Sequence, residues 1–102
     1  MPVHLRLVVP DQSLHAALRL LRGEPSVRNL TVHASVAERP DGPVVSCDLA
    51  DDQAPLVVAD LQDLGVARGG SIAVQPVDLV VSGTGPLVGR LSARYFVEWE
   101  QL

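Results

Sequence analysis

The chain has 102 residues and a formal net charge of −4, and every cation is an arginine. That length holds one small domain with a single core and a stability margin of several kcal/mol, and it leaves no room for a second domain. The acidic balance denies the chain the positive field that phosphate backbones require, which excludes nucleic acid as the expected partner.

Val3, Leu5, Leu7 and Val9 alternate with His4, Arg6 and Val8, the period-two pattern of a strand with one covered face, and Pro10 ends it. Asp11 or Ser13 then caps a helix whose inward stripe is Leu14, Ala17, Leu18 and Leu21, stopped by Gly23 and Pro25. Leu30, Val32, Ala34 and Val36 predict a second strand. The turn-rich segment from Glu38 to Gly42 reverses the chain, and Val45, Cys47 and Leu49 return it, a hairpin with a loop longer than the two-residue minimum. Asp51 or Asp52 caps the second helix, Pro55 fits its first turn, and Val57, Val58, Leu61 and Leu64 form its buried stripe up to Gly65. After Gly69 and Gly70 comes a fourth strand with Ile72 and Val74 inward, and Pro76, which cannot donate to a ladder, places that strand at a sheet edge or a bulge.

This order predicts an α+β fold: a ferredoxin-like βαββαβ sandwich whose four-stranded antiparallel sheet runs 4-1-3-2 with two helices on one face. Residues 1–82 form the domain, and residues 83–102 form a connector and an aromatic C-terminal tail. Beyond Pro76 the parity changes. Either a bulge returns Val77, Leu79 and Val81 to the core, or they make an apolar patch that the tail covers. All three aromatics, Tyr95, Phe96 and Trp99, lie in that tail, and Arg94 to Glu100 is expected as a strand that pairs with a sheet edge, its own or a partner's. Leu87, Leu91, Tyr95 and Trp99 would equally line one face of a helix.

The open face of the sheet is the expected place for a site. Pairing Val32 with Cys47 and Ala34 with Val45 puts Thr31 opposite Asp48 and His33 opposite Ser46. The first strand beside the third then completes two polar rows: His4, Asp48 and Thr31, and Arg6, Ser46 and His33. Imidazole and carboxylate can hold a ligand or a metal, but a solvated polar face is the ordinary state of an antiparallel sheet. Two histidines and a carboxylate on three strands make an incomplete shell, so no metal site and no cofactor are expected. Cys47 points inward as a small apolar side chain, without the second thiol of a metal carrier. The loop after the first strand, Val9-Pro10-Asp11-Gln12-Ser13, has no arginine for a phosphate, which excludes an acylphosphatase-like enzyme. The central strands lack the stacking aromatics of an RNA-recognition motif. No phosphate loop or nucleophile elbow occurs, and the chain is expected not to be an enzyme.

The opening His4-Leu5-Arg6-Leu7-Val8-Val9-Pro10, the run from Leu20 to Val27 followed by Asn29-Leu30, and Leu64-Gly65-Val66 leading to the run from Gly70 to Asp78 resemble actinobacterial members of domain-of-unknown-function family 389. The tail run Phe96-Val97-Glu98-Trp99-Glu100 is similar to that family's short aromatic-acidic segment. The resemblance implies a soluble domain preceding a hydrophobic membrane domain, with no established activity and no catalytic residues to carry over. The expected function is therefore a non-catalytic regulatory or assembly domain of, or associated with, a bacterial membrane protein. Such a domain would be a homo-oligomer, a dimer being favoured, in the cytoplasm or on the cytoplasmic side of the inner membrane. A small-molecule sensor with its ligand at a dimer interface, near the Gly69-Gly70 turn, is the alternative from another class. A metal-responsive domain using His4, His33 and Asp48 is a third.

Overall fold

A computed structural model of the chain describes residues 1–77. The elements are β1 (Pro2–Val8), a 3-10 turn at Asp11–Ser13, α1 (Leu14–Gly23), β2 (Arg28–Glu38), β3 (Asp41–Ala50), α2 (Ala54–Asp63), a short α3 (Val66–Gly69) and β4 (Ser71–Pro76). The fold is α+β, and among the described residues the sheet runs β2-β3-β1-β4 with every neighbouring pair antiparallel. No helix among these residues is long and apolar enough to cross a membrane.

Strict alternation in β1 and β3 sends Val3, Leu5, Leu7, Val45, Cys47 and Leu49 to one face. There they meet Ala17 and Leu21 of α1, Ala54, Val57 and Leu61 of α2, and Val66 of α3 in one core. Leu14, Leu18, Leu20 and Val58 flank it, half-buried. Leu64 was expected in the buried stripe of α2 and instead stands 38% exposed, because the helix has already ended. Gly65 follows at φ +83°, a left-handed backbone that side chains disfavour, and its N–H closes the helix onto the Gln62 carbonyl at 2.9 Å.

Neither helix takes the side-chain cap that its sequence offers. Ser13 flanks α1, but its hydroxyl donates to the Leu64 carbonyl at 3.2 Å and so ties the start of α1 to the end of α2. Gln53 flanks α2, with Pro55 in the first turn as expected. Asp51 instead accepts from the Met1 ammonium at 2.9 Å, and that hydrogen bond holds its carboxyl below the usual carboxylate range.

The largest departure from the sequence reading is the register of β2. Val32 pairs with Val45 rather than Cys47, Thr31 with Ser46 rather than Asp48, and His33 with Val44 rather than Ser46. A bulge lies between the Arg28–Asp48 and Thr31–Ser46 pairs, where two residues of β2, Asn29 and Leu30, stand against the single Cys47. Asn29 adopts φ +56°, a conformation asparagine tolerates better than most side chains. The shift at Thr31, Val32 and His33 comes from a second irregularity nearer the turn, where residues 34–36 stand against Pro43 and displace the pairing by two residues from the register of Ala37–Gly42. Val32 keeps the parity of the inward Val45 yet is 42% exposed, and Ala34 is exposed too. The hairpin link is also tighter than expected, because β2 runs to Glu38 and β3 resumes at Asp41, leaving only Arg39 and Pro40 between them.

β4 pairs with β1 from Val8–Ser71 to Val3–Pro76, so among the described residues Pro76 sits on an edge strand, as its missing N–H allows. Val74 shares the parity of Leu5, yet it is 47% exposed rather than inward. The Gly69-Gly70 junction is occupied by the protein itself: a Cβ at Gly70 would lie 1.8 Å from the Val8 carbonyl oxygen. Its glycine is explained by this backbone crossing, not by a ligand.

Candidate functional site

The open face carries three cross-strand rows. The β1–β3 pairing sets His4 beside Asp48, Arg6 beside Ser46 and Val8 beside Val44. β4 adds Gln75, Ala73 and Ser71 to these rows in turn, and β2 adds Arg28, Thr31 and His33. His4, Asp48, Arg6 and Ser46 are therefore neighbours as the strand parity requires, but Thr31 joins the row of Arg6 and Ser46. His33 falls beside Val44, one row further from His4 than expected.

Two hydrogen-bonded groups organise this surface. His4 Nδ1 lies 2.8 Å from Asp48 Oδ1, and Asn29 Nδ2 donates to Asp48 Oδ2 at 2.8 Å, so both carboxylate oxygens are engaged. Thr31 Oγ1 and Ser46 Oγ lie 2.6 Å apart and satisfy each other. Arg28 is opposite Asp48 in register, but its guanidinium turns back to the Pro25 and Val27 carbonyls at 2.7 and 2.8 Å. The result is an oriented His–Asp pair without a nucleophile, since among the described residues no serine, threonine or cysteine is hydrogen-bonded to His4. Nor do any three of His, Cys, Asp and Glu gather closely enough to hold a metal ion among these residues. His15 is exposed on α1 and accepts from Arg19 Nη2 at 2.8 Å.

No protein-family model matches this chain, and no curated protein does.

Asn29 was missed as a member of the face. Its readable sign was an asparagine early in a strand, a residue type that favours left-handed backbone and bulges. Also missed was a 270 Å³ cavity where the end of the β2–β3 hairpin reaches over the open face, with Arg39 and Glu38 joining Arg6 and Ser71 at its wall. Two larger cavities, of 440 and 410 Å³, lie on the helical side, in the groove between α1 and α2 beside Arg19, Leu20 and Asp60. Of the expected interface residues, Val77 is half-buried and its N–H donates to the Pro2 carbonyl at 2.9 Å. Leu79, Val81, Tyr95, Phe96 and Trp99 lie outside the described residues, as does the domain boundary placed at residue 82.

Cys47 is fully buried in the core, and that burial, with the Asp48 charge next to it, pushes its thiol up to about 12. Because the folded value lies above the unfolded value of 9.0, the neutral thiol's contribution to stability is fully present below pH 9 and is lost as the pH rises through 12. The folded protein is expected to resist a disulfide-exchange reagent at pH 8 and to react fully in strong urea. Labelling of the native protein at the rate of a free thiol would contradict this burial.

Proposed function

We propose that this chain is a non-catalytic regulatory or assembly domain, built on the ferredoxin-like βαββαβ plan, that pairs with a second copy of itself along β4. The resemblance to domain-of-unknown-function family 389 supports placing it with a bacterial membrane domain, linked or associated, on the cytoplasmic side of the inner membrane. The observation that carries the pairing is the contrast between the two sheet edges. β2 is interrupted by two irregularities and bears Arg28 and Glu38, devices that discourage strand addition. β4 is six uncharged residues in regular register with β1, and it exposes Ala73, Val74 and Gln75. Antiparallel addition of a second β4 about a twofold axis would satisfy its outer backbone groups and cover Val74.

Light scattering on the purified protein is expected to give the molar mass of a dimer, and Val74→Lys, which puts a charge on that edge, is expected to give a monomer with unchanged circular dichroism. A monomeric wild type, or a Val74→Lys protein that stays dimeric, would refute pairing along β4. Deleting residues 92–102 is a separate arm. If molar mass and thermal stability do not change, the aromatic tail takes no part in the interface, and β4 carries the pairing alone.

A further inference from the structure

We infer that the 270 Å³ cavity on the open face is a binding site for a free α-amino acid or a molecule of the same size that carries one carboxylate and one ammonium group. The cavity is built from three strands. Arg6 comes from the middle of β1 and Ser71 from the start of β4. Glu38 and Arg39 come from the end of β2 and the turn that follows it. Val8, Ala37 and Ala73 supply an apolar floor of small side chains.

The charge of the lining decides the class of ligand. Two guanidinium groups share one small cavity on a chain whose net charge is −4, and among the described residues neither forms an ion pair. Like charges facing the same space repel, and the group that relieves this best is a carboxylate, which matches the planar donor fork of arginine and can take a further hydrogen bond from the Ser71 hydroxyl. Glu38 on the same wall would repel a simple anion, but it is the natural partner of an ammonium group. Two positive groups, one negative group and an apolar floor are therefore complementary to a zwitterion with a short apolar side chain. At 270 Å³ the cavity falls just below the range of about 300–1,000 Å³ typical of drug-sized ligands, so its size suits one amino acid and not a peptide or a nucleotide.

The site goes beyond the pairing of two copies. Binding and molar mass are measured separately, so either can fail without the other. The test is calorimetric titration and thermal shift of the whole chain with each common L-amino acid, with acetate and inorganic phosphate as anion controls. At least one amino acid is expected to bind and to raise Tm by several degrees, since a ligand that binds only the native state stabilises it. Arg6→Ala and Arg39→Ala are each expected to weaken that binding about tenfold or more. Glu38→Gln should weaken the amino acid while leaving acetate unaffected. All three side chains are exposed, so the fold should survive their loss. Ala73→Leu gives an independent check, because it fills the floor, leaves every charge in place and is expected to abolish binding.

The proposal is overturned if no amino acid binds. It is equally overturned if binding survives both arginine substitutions or Ala73→Leu, or if phosphate or acetate binds as tightly as any amino acid and Glu38→Gln makes no difference.

Discussion

Gly70→Ala is expected to remove a large share of the stability of this domain, roughly 3 kcal/mol or more of a margin on the order of 5–10. The added methyl would sit 1.8 Å from the Val8 carbonyl oxygen and 2.8 Å from that of Val66. Both obstacles are backbone, one in a strand paired on both sides and the other at the start of α3, so neither can move aside as a flexible side chain would. Relief would require β4 to separate from β1 where their pairing begins, at Val8 and Ser71. Gly23→Ala is the control: nothing lies within 4 Å of its Cβ position at the exposed end of α1, and this change should be neutral or stabilise by about 0.4–1 kcal/mol. Urea midpoints that coincide for the two variants would show that β4 does not cross β1 so closely.

Leu61→Ala should cost about 2–5 kcal/mol, the loss of the buried methyl groups together with the cavity they leave. Leu61 is 0% exposed and belongs to the cluster that joins both long helices to β1 and β3, so its space cannot collapse without moving several elements. Leu56, 64% exposed on the same helix, provides the control, and truncating it should change stability by no more than about 0.5 kcal/mol. Leu18, which is only half-buried, should fall between them. Equal effects at Leu61 and Leu56 would mean that α2 is rotated about its axis from the orientation described.

The α+β class, the pairing of β1 with β3 and, among the described residues, the edge position of Pro76 follow from local signals that tertiary packing does not disturb. β1 and β3 alternate without interruption, so parity alone sets Leu5 against Cys47 and His4 against Asp48. β2 was misread because two extra residues in the stretch 34–36 shift the pairing from His33 to Thr31 by two, and a step of two leaves the alternation of faces unchanged. That single step moves His33 from the Arg6 row to the Val44 row and weakens the case for a metal site. The exposure of Val74 and Leu64 reflects where the covering helices end, which strand and helix periods do not encode. The cavity could not be read at all, because Arg39 meets Arg6 and Ser71 only through the path of the hairpin.

If copies pair along β4 as proposed, the two interruptions in β2 would also decide what that pairing can produce. A sheet with two receptive edges is a monomer for polymerisation, since each added copy presents a fresh edge to the next and growth stops only when the supply of chains does. With the β2 edge interrupted by the Asn29 bulge and by the irregularity opposite Pro43, head-to-tail growth would find no second regular edge among the described residues. The arrangement that would then satisfy every copy equally is two molecules joined through the same strand, which exhausts the valence of both. On the proposed pairing, the misfit of β2 would thus act as a chain terminator that limits assembly to a closed pair and guards against fibre formation at high concentration.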